Sequence, residues 1–288
     1  MPITINSSIA SLHARRSLEK NTSALNVSLS RLSSGLRINS ASDDASGLAL
    51  STRMTAEILS ANAAIRNTND GISLLQVADS ALAETTTALQ RIRELAVQAN
   101  TSTISGSDQN DLQLEVTQLM SEIQRISTTT NYNNVNLLDG TYSVAIGKFQ
   151  IGADGGQTLA FSIAGASVAK IGASTGTTND SLSVGSAAYN LGYIASAIVN
   201  VDTAIDSVAS IRAQIGAYQS RLESVVNTLG SVVEVTEVAR SRITDADIAQ
   251  ETADMTRLTI LQQAGIAVLA QANQQPGIAY KLLSGMNG

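Results

Sequence analysis

Twelve positions between Ile194 and Val233 fall four and then three residues apart without a slip: Ile194, Ile198, Val201, Ile205, Val208, Arg212, Ile215, Gln219, Leu222, Val226, Leu229 and Val233. A repeat of sevens held this long belongs to helices that supercoil around one another. The polar members, Arg212 and Gln219, either set the register of the pair or snorkel from the edge of the seam. Nothing in the wider composition opposes long helices. The chain of 288 residues has two prolines, no tryptophan and two phenylalanines, and fills its apolar positions mainly with Ala, Leu, Ile and Val. Small and branched aliphatics of this kind favour packed helices over a compact mixed domain.

Four more helical patterns accompany the first. Apolar residues at Met54, Ile58, Ile65, Ile72, Leu75, Leu82, Leu89, Ile92 and Ala99 predict one helix from Ala45 to Ala99, with Gly71 as its weak point. At 1.5 Å per residue such a helix is a rod of roughly 80 Å. A turn over Asn100 to Ser107 follows. Leu112, Val116, Leu119, Ile123 and Ile126 then predict a returning helix with Asp108 at its cap. Near the start, Ile5, Ile9, Leu12, Leu25, Leu29, Leu32 and Leu36 mark a narrow apolar stripe among Ser, Asn and Thr. Near the end, Met255, Leu258, Leu261, Val268 and Leu269 mark another, which Pro276-Gly277 is expected to break or end. Helices with such narrow stripes are marginal alone and need partners. Leu25, Leu29, Leu32, Leu36, Leu258, Leu261 and Leu269 are accordingly the candidates for assembly contacts.

The stretch between the rod helices is of another kind. Phe149 and Ile151, then Leu159, Phe161 and Ile163, alternate on either side of Ala153-Asp154-Gly155-Gly156. This predicts a β-hairpin with strands near 144–152 and 157–164. Residues 172–186 lack any period and read as a loop. The expected fold is therefore mainly α: a long antiparallel coiled-coil or helical-bundle rod, paired N- and C-terminal helices, and a small β-hairpin insertion. Its parts are terminal helices over 1–43 and 247–288, a rod over 44–172 and 190–246, and a short variable loop over 173–189.

Two polar breaks interrupt the helices, and they resemble each other. Arg37-Ile38-Asn39-Ser40 precedes Asp43-Asp44 in the first, and Arg242-Ile243-Thr244 precedes Asp245 and Asp247 in the second. Adjacent acids in a Ser-rich loop suggest a cation site, but no Asp-x-Asp-x-Asn-Gly loop or histidine supports one. Capping explains them better, since Ser and Asp accept hydrogen bonds from the free amides of a helix start, where the dipole also favours negative charge. Ser42 or Asp43 caps the rod helix in this reading, with Asp44 in its first turn, and Asp245 and Asp247 serve the second break. Arg31 and Arg37 suit the end of the helix that precedes them. The repetition of the break points to geometry, a joint crossed twice, and not to chemistry.

Composition removes several function classes. With no Cys and a single histidine, His13, the chain carries no thiolate or histidine-rich metal site and no Cys nucleophile. No cofactor is expected. A net charge of −6 argues against nucleic acid as a partner. The opening MPITINSSIASLHARRSLEKN does not read as a secretory signal peptide, and ILQQAGIAVLAQAN is too short and polar to insert in a membrane.

Several segments together resemble bacterial flagellin. They are LSSGLRINSASDDASGLALS (32–51), NDGISLLQVADSAL (69–82), LQRIRELAVQAN (89–100), GAYQSRLE (216–223), ARSRITDAD (239–247) and ILQQAGIAVLAQANQ (260–274). The segment KFQIGADGGQTLAFSIAGASVAKIG (148–172) resembles the family's rod-attached hairpin, in a short form that leaves little room for outer domains. The resemblance implies a non-enzymatic subunit that self-assembles into the extracellular flagellar filament for motility. The runner-up is a hook–filament junction protein of the same superfamily. It also implies export without a cleaved signal peptide through the flagellar type III apparatus, and flagellar export chaperone, cap and junction proteins as partners. Gln90, Arg91, Leu95 and Glu115 match positions through which flagellins, as monomers, are recognised by Toll-like receptor 5.

Overall fold

The computed structural model describes residues 9–144, 147–171 and 191–285. Ile5, Ala145, Ile146 and the expected loop over 173–189 lie outside the described residues. Seven helices are present among them: α1 (Ile9–Ser34), α2 (Ala45–Ala99), α3 (Gly106–Thr129), α4 (Thr141–Val144), α5 (Val168–Ile171), α6 (Leu191–Thr244) and α7 (Ile248–Gly285). Two antiparallel hairpins complete the set, β1 (Asn131–Tyr132) with β2 (Val135–Asn136), and β3 (Gly147–Gln150) with β4 (Thr158–Phe161). The fold is mainly α with small β-hairpins, as the periodicities predict. The chain forms two compact units, one of residues 57–234 and one of 1–56 with 235–288, so the division falls inside α2 and α6.

In the 57–234 unit the heptads bury what they should. Leu75, Leu82 and Leu89 of α2 share one core with Val116 and Ile123 of α3 and with Val201, Val208, Ile215 and Leu222 of α6. Arg212, at a seam position, donates through Nε to Asp79 Oδ1 at 2.8 Å and ties α6 to α2. Arg93 does the same to Asp202 at 2.6 Å. Each pair settles the register of an otherwise repetitive apolar seam. The start of α3 differs from expectation. Its cap is Ser105, and Asp108 is the third helical residue, closing a capping box back onto Ser105.

The expected hairpin forms as β3 and β4, in the register Phe149↔Leu159, with shorter strands than the alternation suggests. Its aromatic face is a stack. Phe149 and Phe161 lie 4.4 Å apart and nearly parallel, and Tyr142 of α4 stands 5.3 Å from Phe161. Phe149 rests on α2 at Gly71, where a Cβ would stand 3.1 Å from the ring. The weak point of the rod helix is thus its seat for the hairpin. The hairpin of β1 and β2 is unanticipated. Its two turn residues, Asn133 and Asn134, have φ of 50° and 63°, the left-handed pair that a two-residue hairpin requires and that Asn tolerates.

In the other unit, α1 and α7 pack antiparallel, tied by Ser11 to Asn273 at 2.7 Å and by Gln262 to Thr22 at 3.4 Å. Little is buried on these two helices: Ser28, Leu258 and Ala272 are below one tenth exposed. Of the candidate assembly leucines, Leu258 is buried and Leu25, Leu32, Leu36 and Leu269 are half-buried, while Leu29 and Leu261 are exposed. Leu36 lies beyond α1 and pairs with Asp245 in an isolated bridge. Proline does not end the last helix as expected, since α7 runs through Pro276 to Gly285. A helical proline forfeits one backbone bond and costs about 3 kcal/mol, and a helix this long keeps its other bonds and carries on.

Candidate functional site

The two breaks meet. At the first, α1 stops on Gly35, whose φ of +72° only glycine adopts freely, and whose amide donates to Arg31 O at 2.8 Å. Ile38 then turns inward to 5 % exposure against the first turn of α2. It lies where Gly47 has no side chain, since a Cβ there would stand 2.6 Å from Ile38 Cδ1.

The acids divide the work differently from the sequence reading. Asp44, and not Ser42 or Asp43, caps α2: its Oδ1 accepts from the amides of Ser46 at 3.0 Å and Gly47 at 2.9 Å. Asp43 closes the loop before it, accepting from the amides of Asn39 and Ser40 at 3.1 and 2.9 Å. Ser42 meets only Ser40, hydroxyl to hydroxyl at 2.7 Å. The Asn39 amide foremost, with Ser40, holds the Asp43 carboxyl below its usual range, and the Gly47 amide foremost does so for Asp44. Bonding to the charged form is the cause in both.

At the second break Asp247 caps α7, accepting from Ala249 and Gln250 at 2.9 and 3.1 Å. Asp245 accepts from the hydroxyls of Ser241 at 2.6 Å and Thr244 at 2.9 Å, which depress its pKa, Ser241 most. Every acid of the breaks thus has a structural task. Among the described residues no group of His, Cys, Asp and Glu is arranged to hold a metal ion.

The breaks are joined through Arg37. Its amide donates to Thr244 O at 2.6 Å, and its guanidinium donates to Ile243 O through Nε at 3.2 Å and Nη2 at 2.6 Å. In return the Ala246 amide donates to Gly35 O at 2.9 Å. The sequence reading assigned Arg37 to the end of α1, but it serves the end of α6. No local signal identifies a partner 206 residues away. Arg31 stands 4.0 Å from Glu251 on α7, and its buried Nε has no hydrogen-bond partner.

The second candidate surface is on α2 and α3. Gln90 is exposed, and Arg91 bridges Glu115 of α3 at 2.8 Å and Glu94 at 3.0 Å. Leu95 departs from this group. At 1 % exposure it belongs to the core, because its helical position faces α3 and α6 and not solvent. Gln90, Arg91 and Glu115 are thus the surface members of the expected set, and Leu95 belongs to the core beneath them. No helix among the described residues is long and apolar enough to cross a membrane.

Comparison with known proteins agrees with this architecture. The family model for the bacterial flagellin N-terminal helical region matches residues 5–143, and that for the C-terminal helical region matches 198–283. The chain is 42 % identical to the flagellin of Bacillus subtilis over 303 aligned residues, covering 97 % of this chain and 99 % of that protein. It is 38 % identical to the flagellar filament 33 kDa core protein of Treponema phagedenis, again over 97 % and 99 % of the two chains. Its fold also resembles a putative flagellar hook-associated protein from Vibrio parahaemolyticus, with a TM-score of 0.57, 14 % identity, and coverage of 70 % of this chain and 100 % of that one. Matched at both helical ends and aligned along almost the whole length of its relatives, the chain belongs to the bacterial flagellin family.

Proposed function

We infer that this chain is a structural subunit of the bacterial flagellar filament, an extracellular appendage, and that it polymerises with copies of itself. The observation that carries the reading is the state of the terminal helices. Ile9, Leu12, Ile260, Ile266 and Val268 are all more than half exposed on α1 and α7, although they are the apolar residues those helices have to bury. Neighbouring copies supply the missing cover, and the helices gain order as they gain partners. Family membership supports a structural role, and with it the absence of catalysis. Seeded polymerisation followed by electron microscopy tests this: long helical filaments are expected, and growth that stops at short caps on the seeds would favour a junction protein instead.

The finer roles follow from the family likeness. The subunit leaves the cell through the flagellar type III apparatus without a cleaved leader, attended by an export chaperone, and meets cap and junction proteins at the filament ends. As a monomer it engages Toll-like receptor 5 through the exposed Gln90, Arg91 and Glu115.

A further inference from the structure

The two breaks look alike in sequence but stop their helices by different means. Helix α1 ends itself, on a glycine with φ of +72° that donates back to Arg31 O. Helix α6 has no such device. From Ser231 to Ala264 the chain contains neither glycine nor proline, so no residue there forbids a helix from running through. The last carbonyls of α6 find their partners elsewhere, in the Arg37 amide and guanidinium. Ala246, the first residue to leave the helical path on the far side of Asp245, donates to Gly35 O. What opposes a continuous helix locally is only the Asp247 cap on α7.

We propose that the α6–α7 break is imposed in trans by Gly35 to Arg37, with Arg37 as the positioning residue, and that releasing this clamp lets α6 and α7 join as one continuous helix. The element then has two states. In the clamped state Ile243 O and Thr244 O are held by Arg37, and no backbone carbonyl accepts from the amides of Asp247 and Ile248. In the continuous state the same carbonyls accept those two amides in the ordinary helical pattern. Each state satisfies the carbonyls, so a choice between them needs only a modest bias. The docking of the N-terminal break supplies that bias, which makes the path of the C-terminal chain depend on residues near the start.

Amide-resolved hydrogen exchange on the full-length monomer separates the two states. Arg37→Ala removes the guanidinium bonds, and Arg37→Pro removes the amide bond as well. The expected result is that exchange at Asp247 and Ile248 slows in Arg37→Ala and slows more than tenfold in Arg37→Pro. Ile248→Pro, compatible with the first position of α7 but not with a helix running through it, should cancel the slowing at Asp247 when combined with either variant. Unchanged or faster exchange at these amides would overturn the proposal, as would slowing that survives Ile248→Pro. In the single Ile248→Pro variant the clamp is untouched, so protection of the Ala246 amide, which donates to Gly35 O, should stay at the parent level, and its loss would overturn the proposal.

Discussion

Gly71 and Gly216 are both mid-helix glycines of the 57–234 unit, yet the same substitution should move its stability in opposite directions. Replacing an interior helical glycine by alanine relieves a backbone-entropy and propensity penalty of about 1 kcal/mol. At Gly216, on α6, a new Cβ meets nothing within 4 Å, so Gly216→Ala should realise most of that gain. At Gly71 the Cβ would stand 3.1 Å from Cε2 and Cζ of Phe149 and 3.2 Å from Cδ2. Carbon contacts are optimal at about 3.5 to 4.0 Å. The ring must retreat, but behind it lies Phe161, stacked at 4.4 Å and only 3 % exposed, with Tyr142 beyond. Overpacking a site with no slack costs about 1 to 3 kcal/mol. Taking about 2 for the clash against about 1 for the helix leaves Gly71→Ala destabilising by about 1 kcal/mol.

Urea titration followed by tyrosine emission reads this unit well, since every tyrosine except Tyr280 lies within it. With a slope of about 2.5 kcal/mol per M the midpoint should fall by about 0.4 M for Gly71→Ala and rise by a similar amount for Gly216→Ala. Phe149→Leu should make Gly71→Ala less harmful than in the parent, a coupling that a double-mutant cycle isolates. A rise in midpoint for Gly71→Ala equal to that for Gly216→Ala would refute the tight seat of the hairpin on α2.

Three other outcomes are expected. Asn134→Gly should stabilise the β1–β2 hairpin by about 0.5 kcal/mol, because Asn134 sits at φ 63° and glycine is preferred there in a two-residue turn; thermal melts check it. Leu95→Ala should lower stability by about 3 kcal/mol through an empty core position, whereas Arg91→Ala on the exposed Glu115 pair should leave the urea midpoint nearly unchanged. A receptor-signalling assay should therefore find loss without unfolding only for Arg91. Asp43, Asp44 and Asp245 have depressed pKa values in the fold, so they bind fewer protons folded than unfolded. Their contribution is present above the unfolded pKa of about 3.9 and is lost as pH falls below it; the protection of the Ser46 and Gly47 amides, measured against their intrinsic exchange rates, should fall over that acid range.

Much of this architecture is legible because it is periodic. The ends of α2 at Ala45 and Ala99 and the seam through Val201, Val208, Ile215 and Leu222 follow from spacing alone, since burial of one face repeats with the helix. The short, non-periodic features are where reading fails, and each failure has its own physics. Asp43 and Asp44 are equally good caps by residue type, and only the exact start of the helix assigns the role to Asp44. Leu29 and Leu261 keep the helical spacing of core residues yet stay exposed, because a stripe states that a face needs cover and not whether the same chain provides it. Pro276 fails as a terminator because local propensity sets a cost that a long helix can bear. Arg37 is the most instructive. A cationic residue just past a helix end suits the carbonyls of that helix, and nothing nearby says otherwise. Yet α1 already stops on Gly35, which leaves the guanidinium free to serve α6, whose own sequence contains no stop. A surplus terminator at one break and a missing one at the other can both be seen in the sequence once the pair is compared. The inference that one break supplies the other follows from that imbalance.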